Sequence, residues 1–230
     1  MNFKDGEILY FDKPLHWTSF DLVNRIRKLI TTHLGEKIKV GHAGTLDPLA
    51  TGVMLLATGK ATKQIEALQS TEKEYVATLK LGETTPSFDL EHAVDKTFPF
   101  EHITLEMVEK TLKQFIGEIW QIPPVFSAVK INGKRAFNYA RKGNEVELTP
   151  KQLIVSKIEI IDFALPLLKI CVVCSKGTYI RALARDIGAA LGSGAHLTAL
   201  QRTRAGNITL DKCQSIEQFA EKLTKKGDVE

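Results

Sequence analysis

Residues 41–52 have the sequence Gly-His-Ala-Gly-Thr-Leu-Asp-Pro-Leu-Ala-Thr-Gly, in which an apolar, strand-like approach breaks into a glycine-rich turn. The glycines allow the backbone to turn tightly or to approach a ligand closely. Pro48 disfavours the helical conformation at Asp47, so this acid is predicted to lie on an irregular, ordered segment. Asp-Pro and glycine-rich runs are also ordinary turn sequences, so local composition leaves both a catalytic carboxylate and a plain turn open.

Helical and strand patterns alternate around this stretch without a regular βαβ rhythm. The capping box Thr18-Ser19-Phe20-Asp21 predicts a helix to about Leu34, with Val23, Ile26 and Ile30 on one stripe. Further elements are predicted: a half-buried strand at 76–81, a helix after Thr104 with Met107, Val108, Leu112, Phe115 and Ile116 on its apolar side, paired strands at 154–163 and 167–175, and a helix at 180–191. This mixture favours an α+β fold over a doubly wound sheet.

Composition limits the protein classes that fit this chain. Of 230 residues, 43% are hydrophobic and 25% are charged, as in soluble globular proteins, and no apolar run is long enough to span a bilayer. The first residues lack a basic segment followed by an apolar one, so no secretory signal is predicted. We expect a cytoplasmic protein of one large or two small domains.

The three cysteines do not predict a metal site. Cys171 and Cys174 lie in a β-branched run typical of a buried strand, where side chains three residues apart point to opposite faces. No second Cys-x-x-Cys and no Cys/His pair at zinc spacing accompanies them. We interpret both as small core residues.

A basic segment at residues 122–143 is bounded by prolines and a glycine, and aromatic residues are interleaved with its cations. Such a segment suits a projecting loop that binds a folded nucleic acid, with cations for phosphates and rings for bases. The alternative is an ordinary surface hairpin. The formal net charge of +4 is a mild excess, and the other basic clusters, at 25–28 and 202–204, are either phosphate-binding or simply solvated.

Three shorter motifs lie elsewhere in the chain. Lys73-Glu74-Tyr75 begins a predicted strand, residues 174–181 lead from a strand into a helix through a Lys-Gly-Thr turn, and residues 199–203 read Ala-Leu-Gln-Arg-Thr. Taken singly, each has an ordinary explanation. A strand tyrosine more often packs in the core, and an arginine near a helix start is usually structural or exposed.

Together, these segments resemble the motifs of the TruB-type tRNA pseudouridine synthases in the same order: GHxGxLDPxATG, KxY, a PPxYSAxKxxGxxxYxxAR-like stretch, SKGTYIR and LxRT. The resemblance runs from about Lys13 to Thr203. It implies a mixed, mostly antiparallel sheet flanked by helices, with an RNA-clamping insertion at about residues 123–150. It also implies a single catalytic domain over residues 1–230 without a complete C-terminal RNA-binding domain, because the chain ends soon after Leu210.

The resemblance assigns Asp47 as the catalytic acid and Lys13 as a residue that supports the site. The implied substrate contacts are His42 in the space left by a flipped base, Tyr75 stacked on the target uracil, Tyr179 beside the reacting base, Arg181 paired with Asp47, and Leu200 lining the pocket. Lys130, Lys134, Arg135 and Arg141 are implied to bind the T-arm of tRNA. An arginine partner would favour the ionised form of the aspartate.

The implied reaction converts the uridine at position 55 of the tRNA T-loop to pseudouridine. It breaks the C1′–N1 bond, rotates the uracil and rejoins it through C5, so no redox cofactor or metal is expected. The carboxylate would attack C1′ or remove a proton from C2′, and the sequence does not choose between these routes. The target nucleotide must first be flipped out of the folded loop. We expect a monomer that needs no guide RNA or protein partner.

Two other functions stay open from the sequence. A glycosidase or nucleosidase also attacks C1′ but usually needs a second carboxylate, and residues 41–52 contain none besides Asp47. A non-catalytic RNA-binding or RNA-folding protein would not need intact Asp47, Tyr75 and Arg181. Two residues depart from the family pattern, since Phe126 stands where tyrosine is frequent and His92 where glycine is common. The backbone of the loop at 85–92 is therefore not predicted.

Overall fold

The structure is a computed structural model that describes residues 2–127, 129–131, 134–136, 139 and 148–224. Its strands are β1 (Ile8–Lys13), β2 (Val40–His42), β3 (Ala50–Thr58), β4 (Lys73–Leu81), β5 (Glu83–Thr84), β6 (Lys96–Thr97), β7 (Gly117–Gln121), β8 (Lys130–Ile131), β9 (Lys134–Arg135), β10 (Lys151–Ala164), β11 (Leu167–Cys174), β12 (Ala195–Ala205) and β13 (Ile208–Thr209). Its helices are α1 (Ser19–Leu34), α2 (Ile65–Gln69), α3 (Leu105–Leu112), α4 (Ile180–Ala190) and α5 (Ile216–Thr224).

The described residues form two compact units. The first contains the residues up to Tyr75 and those from Gln201 onward, and the second runs from Val76 to Leu200. In the first unit β1 and β2 both pair antiparallel with β3, and β13 pairs antiparallel with the end of β12. Helices and antiparallel strands are thus mixed along the chain, which confirms the predicted α+β class.

Helix α1 begins at the predicted capping box. The Thr18 side chain accepts a hydrogen bond from the Asp21 backbone N–H, and the Asp21 carboxylate accepts one from the Thr18 backbone N–H at 2.9 Å. Val23, Ile26 and Ile30 are buried, as the stripe predicted. The start, the end and the apolar face of this helix are therefore confirmed.

The core of the first unit lies where α1 and α5 pack on β1 and β3. Phe219 of α5 meets Phe11 of β1 edge to face, with ring centroids 5.3 Å apart. Met54 and Leu56 of β3 are buried in the same cluster. This packing fixes the strand that follows the loop carrying Asp47.

The second unit is built on the hairpin of β10 and β11. These strands pair antiparallel from Val155↔Cys174 to Ala164↔Leu167, and β10 also pairs antiparallel with β7. The paired strands and the helix predicted after residue 179 are confirmed by this hairpin and by α4. Cys174 is buried and Cys171 is half-buried, so only Cys174 is a full core residue.

The apolar face predicted for α3 is too wide. Val108 and Leu112 are buried, but Met107 is 37% exposed and Ile116 is 44% exposed. The helix ends at Leu112 and continues as a 3-10 turn over Lys113–Phe115, so the 3.6-residue period does not reach Ile116. Met107 precedes Val108 by one position, which turns it about 100° away from the buried face.

Within the described part of the chain, no helix is long and apolar enough to cross a membrane. The same residues contain no group of three or more His, Cys, Asp or Glu side chains placed to hold a metal ion.

Candidate active site

The loop between β2 and β3 carries Asp47, and hydrogen bonds fix it on both sides of this residue. Asp47 is half-buried and outside regular secondary structure. The Ser19 hydroxyl accepts from the Leu46 N–H at 2.8 Å and donates to the Leu46 carbonyl at 2.9 Å. The Pro48 carbonyl accepts from the His16 N–H at 2.8 Å. The segment at 16–19 therefore holds both neighbours of Asp47, giving the ordered, irregular loop that the sequence predicts.

Arg202 holds the beginning of this loop from inside the protein. It is 1% exposed, and its Nε donates to the Val53 carbonyl at 2.7 Å while Nη2 donates to the Gly44 carbonyl at 3.3 Å. A Cβ on Gly52 would lie 2.2 Å from the Arg202 carbonyl oxygen, so the two backbones meet without room for a side chain. Arg202 is thus a buried loop anchor, and the possibility that it belongs to a phosphate-binding surface is wrong.

Lys13 is a second buried cation near the loop. Its Nζ donates to the carbonyls of Pro14 at 2.9 Å and Trp17 at 2.6 Å. Burial lowers the pKa of Lys13 to about 8, although attraction to the Asp47 carboxylate opposes this shift. Repulsion from Arg202 lowers the pKa further. Lys13 therefore interacts electrostatically with Asp47, consistent with a supporting position.

His42 lies on β2, directly before the loop, and is half-buried. Its Nδ1 is buried and has no hydrogen-bond partner among the described residues. Burial lowers the pKa of His42; a hydrogen bond with the Gly44 backbone opposes this shift, and the Arg202 charge lowers the pKa further. The uncharged form of the ring is therefore favoured. The role of filling the space of a flipped base stays a prediction.

Tyr75 lies on the buried face of β4. It is 8% exposed, and Lys73 on the same face donates its ammonium hydrogens to the carbonyls of Gln69 and Thr71. Between them, Glu74 faces the other side of the strand, where the Arg204 Nε lies 3.6 Å from a carboxylate oxygen. Stacking of Tyr75 on a uracil stays a prediction.

Arg181 is the second residue of α4 and is buried. Its Nη1 donates to the Ser87 carbonyl at 3.0 Å and its Nη2 to the Phe126 carbonyl at 2.9 Å, while Nε lies 3.6 Å from Asp89 Oδ2. Arg181 thus links the loop at 85–92 to the segment that begins at residue 122. Its pairing with Asp47 stays a prediction. The sequence analysis missed Asp89, whose only signal is an acid in a turn-rich loop.

The loop at 85–92 is organised around Asp89. The Thr85 hydroxyl donates to the Asp89 carbonyl at 2.7 Å, and the Asp89 carboxylate accepts from the Glu91 N–H at 3.0 Å. His92 does not have a positive φ, so its position needs no glycine here. The His92 ring packs on Phe126 with centroids 4.4 Å apart. The two residues that depart from the family pattern therefore contact each other.

Tyr179 immediately precedes α4 and is half-buried. The buried side-chain amide of Gln121 accepts from the Tyr179 N–H at 2.9 Å and donates to the Tyr179 carbonyl at 3.1 Å. This pair of hydrogen bonds fixes the backbone of the Tyr179 position. Leu200 is half-buried on β12. The substrate contacts of Tyr179 and Leu200 stay predictions.

The basic segment contains a short antiparallel hairpin. Strands β8 and β9 pair with Lys130↔Arg135 and Ile131↔Lys134 in register. Arg141 lies outside the described residues. This pairing is compatible with both an ordinary surface hairpin and an RNA-binding loop, and binding of RNA by Lys130, Lys134, Arg135 and Arg141 stays a prediction.

The predicted site residues divide between the two units. His42, Asp47 and Tyr75 belong to the first unit, whereas Tyr179, Arg181 and Leu200 belong to the second. The glycines and the Asp-Pro pair correctly predicted an ordered, irregular loop around Asp47. The roles of Arg202 and Ser19 as loop anchors were not predicted, because the sequence does not distinguish a buried arginine or serine from an exposed one.

Two family models match the chain. The model described as TruB family pseudouridylate synthase (N terminal domain) matches residues 27–180, and the model described as tRNA pseudouridylate synthase B C-terminal domain matches residues 181–230. The chain is 66% identical over 224 residues to tRNA pseudouridine synthase B of Phocaeicola vulgatus, covering 97% of this chain and 95% of that protein. It is 62% identical over 231 residues to the protein of the same name from Bacteroides fragilis, covering 100% and 99%.

Solved structures also match. The fold superposes on a structure titled "Crystal Structure of a Cbf5-Nop10-Gar1 Complex" with a TM-score of 0.76 and 30% identity. The match covers 100% of this chain and 58% of that chain, so the chain spans little more than half of that solved protein.

Proposed function

Because this chain belongs to the TruB family of pseudouridylate synthases and is an isomerase that acts on tRNA, we propose that it modifies the uridine at position 55 of the T-loop and that Asp47 is its catalytic carboxylate. The motif resemblance and the pseudouridine-synthase-like fold are confirmed. The observation that carries the proposal for Asp47 is its fixed position, with Leu46 held by Ser19 and Pro48 by His16.

The reaction requires a carboxylate held still against the sugar of a flipped nucleotide. Asp47 either attacks C1′, forming an ester as the C1′–N1 bond breaks, or removes the C2′ proton, leaving a C1′–C2′ double bond as the same C1′–N1 bond breaks. The freed uracil then turns, and C5 bonds to C1′ as the ester bond to Asp47 breaks or as C2′ regains its proton. The C5 proton then leaves and N1 gains a proton, which restores the aromatic ring. Because hydrogen bonds hold the backbone on both sides of Asp47, the loop needs little reorganisation before either step.

The detached uracil must stay bound while it rotates. We assign Tyr75 and Tyr179 to hold it in register, Leu200 to line the pocket, Arg181 to pair with Asp47, and His42 to pack in the space vacated in the RNA. The lowered pKa of His42 supports its assignment, because it favours the uncharged ring and a desolvated charge would oppose packing against bases.

The basic segment is assigned to the T-arm. Lys130, Lys134, Arg135 and Arg141 supply cations for tRNA phosphates, which position the substrate without reading its sequence. We propose one catalytic domain with the clamping insertion at about residues 123–150, working in the cytoplasm as a monomer without guide RNA or protein partner. Relatives of nearly the same length that are themselves named as tRNA enzymes support this compact arrangement.

The experiment that tests the function uses the purified protein alone. Unmodified tRNA transcript is incubated with it without added cofactor or metal, and pseudouridine is mapped by carbodiimide labelling and primer extension. We expect a single new stop at the T-loop uridine. Free uracil without pseudouridine would instead indicate a nucleosidase, and tight binding without modification would indicate an RNA-binding protein or a missing partner.

Asp47→Asn is the matched variant for the catalytic assignment. We expect turnover to fall by at least about 10³-fold, because an amide can neither form the ester-like intermediate nor remove a proton. Binding of tRNA should change little, since the side-chain volume is conserved. Wild-type turnover in this variant would remove Asp47 from the mechanism.

A further inference from the structure

His16 has an unusual backbone conformation close to the catalytic loop. Its φ is 66°, in the left-handed region that disfavours side chains with a Cβ. Among the described residues, Phe88, with φ 63°, is the other non-glycine with this property. Such strained positions concentrate at functional sites when the surrounding structure holds them in place.

The side chain of Phe88 contacts another described residue, whereas the contacts that the structure shows for His16 involve its backbone alone. The Arg185 guanidinium lies 5.0 Å from the Phe88 ring centroid, and the Phe88 carbonyl accepts from the Leu197 N–H at 2.9 Å. The imidazole of His16 is exposed and makes no hydrogen bond or ion pair with the described residues. Its side chain therefore has a polar aromatic ring available for a partner outside the chain.

The position of this ring relative to Asp47 follows from two backbone contacts. The His16 N–H binds the Pro48 carbonyl at 2.8 Å, and Ser19 binds both polar backbone groups of Leu46. The segment at 16–19 thus runs beside residues 46–48, and His16 lies next to the residue that follows Asp47. The left-handed turn thus places the exposed His16 beside the loop that carries Asp47.

We infer that His16 is a substrate-contacting residue, whose ring stacks on an unpaired T-loop nucleotide next to the flipped uridine. This inference rests on the proposed role of Asp47. Flipping a base leaves its neighbours unstacked, and RNA-binding proteins cover such bases with aromatic side chains, including histidine. Leu15 directly precedes His16 and is 47% exposed, and Phe20 follows four residues later and is 62% exposed; both add apolar surface near His16 in sequence.

The test measures tRNA binding and thermal stability in parallel. His16→Gly is made in the Asp47→Asn background, so that the affinity for unmodified tRNA transcript is measured without turnover. We expect the Tm to stay the same or rise, because glycine relieves the strained φ. The affinity should fall about 5- to 100-fold, which is the range for losing one stacked base.

Two further variants distinguish the contribution of the aromatic ring to tRNA affinity from that of the backbone conformation. His16→Asn accepts the left-handed conformation but has no aromatic ring, so it should bind as weakly as the glycine variant. His16→Phe restores the ring and should recover most of the affinity, and the Phe88 position shows that this fold accommodates a phenylalanine at such a φ. The control is His33→Ala, which removes another exposed histidine from the end of α1 and should leave the affinity unchanged.

Equal tRNA affinity in His16→Gly, with a raised Tm, would overturn the inference and leave His16 as a residue that costs stability and contacts nothing. Failure of this inference and failure of the catalytic proposal give different results. If the single variant Asp47→Asn keeps turnover while His16→Gly loses affinity, the assignment of Asp47 fails and the RNA contact of His16 stands.

Discussion

At the scale of single residues, buried cations distinguish this site from an ordinary glycine-rich turn. Lys13 and Arg202 are both fully enclosed and bind backbone carbonyls. An isolated ammonium or guanidinium in such a position would cost several kcal/mol. Hydrogen bonds to backbone carbonyls offset part of this cost for each group. For Lys13, the negative charge of Asp47 offsets a further part. The loop is therefore held by two cations whose desolvation is unfavourable by itself and is compensated in part by the groups they contact.

The lowered pKa of Lys13 predicts that the free energy of unfolding increases as the pH rises from 7 to 9.5. Its pKa is about 8 in the folded protein and 10.5 when unperturbed. Between these values the unfolded chain keeps the proton that the folded protein has lost, so the free energy of unfolding increases with pH. From pH 7 to 9.5, we expect wild type to gain about 2 kcal/mol relative to Lys13→Met. Urea unfolding of both proteins at several pH values measures this difference.

Lys4→Met is the control for this pH series, because the Lys4 ammonium is exposed in an ion pair with Glu36. It should follow the wild-type pH dependence over the same interval. A wild-type curve parallel to that of Lys13→Met would show that Lys13 keeps its ordinary titration, and that burial does not disfavour its charged form.

Ser19 and Thr18 provide a matched pair of hydroxyl deletions at the start of α1. Ser19→Ala removes both hydrogen bonds to Leu46 and should lower the free energy of unfolding by about 1–3 kcal/mol. Thr18→Ala removes the helix cap at a cost of about 1 kcal/mol. Only Ser19→Ala should also lower kcat, by about tenfold, because it frees the residue before Asp47. Equal kcat values in both variants would contradict positioning by Ser19.

At the scale of elements, Gly52, where β3 closely approaches the backbone of Arg202 on β12, should tolerate substitution less than Gly35. Gly52 has φ 108° and a Cβ there would lie 2.2 Å from the Arg202 carbonyl oxygen. Gly35, which ends α1, has φ 71° and nothing within 4 Å of an added Cβ. Gly35→Ala should therefore cost about 1 kcal/mol for its backbone alone.

Gly52→Ala should cost more than Gly35→Ala, by at least about 2 kcal/mol, because the β3 backbone must also move away from its neighbour. Thermal unfolding of the two variants gives the comparison directly. Similar Tm losses would mean that the strands separate easily and that the close approach does not constrain the catalytic loop.

The elements also show what the sequence could predict. Local signals sufficed where one segment determines its own structure, as for the capping box of Thr18 and Asp21. They failed where another segment decides the outcome. The 3-10 turn after Leu112 removed Ile116 from the apolar face of α3, and the carbonyls of Gly44 and Val53 made Arg202 a core residue.

The candidate site was predicted in the same unequal way. The order of the motifs identified the family because each motif combines several residue types that chemistry requires together. The contacts between motifs were not predictable: Asp89 beside Arg181, and His92 on Phe126, depend on how distant loops meet within the second unit. Periodicity and turn propensity contain no information on such meetings.

At the scale of the whole molecule, charge limits how this protein can bind a polyanion. The formal net charge is only +4, so long-range attraction to tRNA is weak and the placement of cations matters more than their number. Many lysines are already used elsewhere. The ammonium groups of Lys4, Lys60 and Lys157 form ion pairs with carboxylates at the surface.

The last prediction separates placement from net charge. Neutralising Lys130, Lys134 and Arg141 to glutamine should weaken tRNA binding and reduce the slope of log K against log salt by roughly two to three, since each lost phosphate contact contributes about 0.7–0.9. Replacing Lys4, Lys60 and Lys157 by glutamine also removes three positive charges but should leave the slope nearly unchanged. If both triple variants reduce the slope equally, total charge governs binding, and the clamp segment has no special part in holding the T-arm.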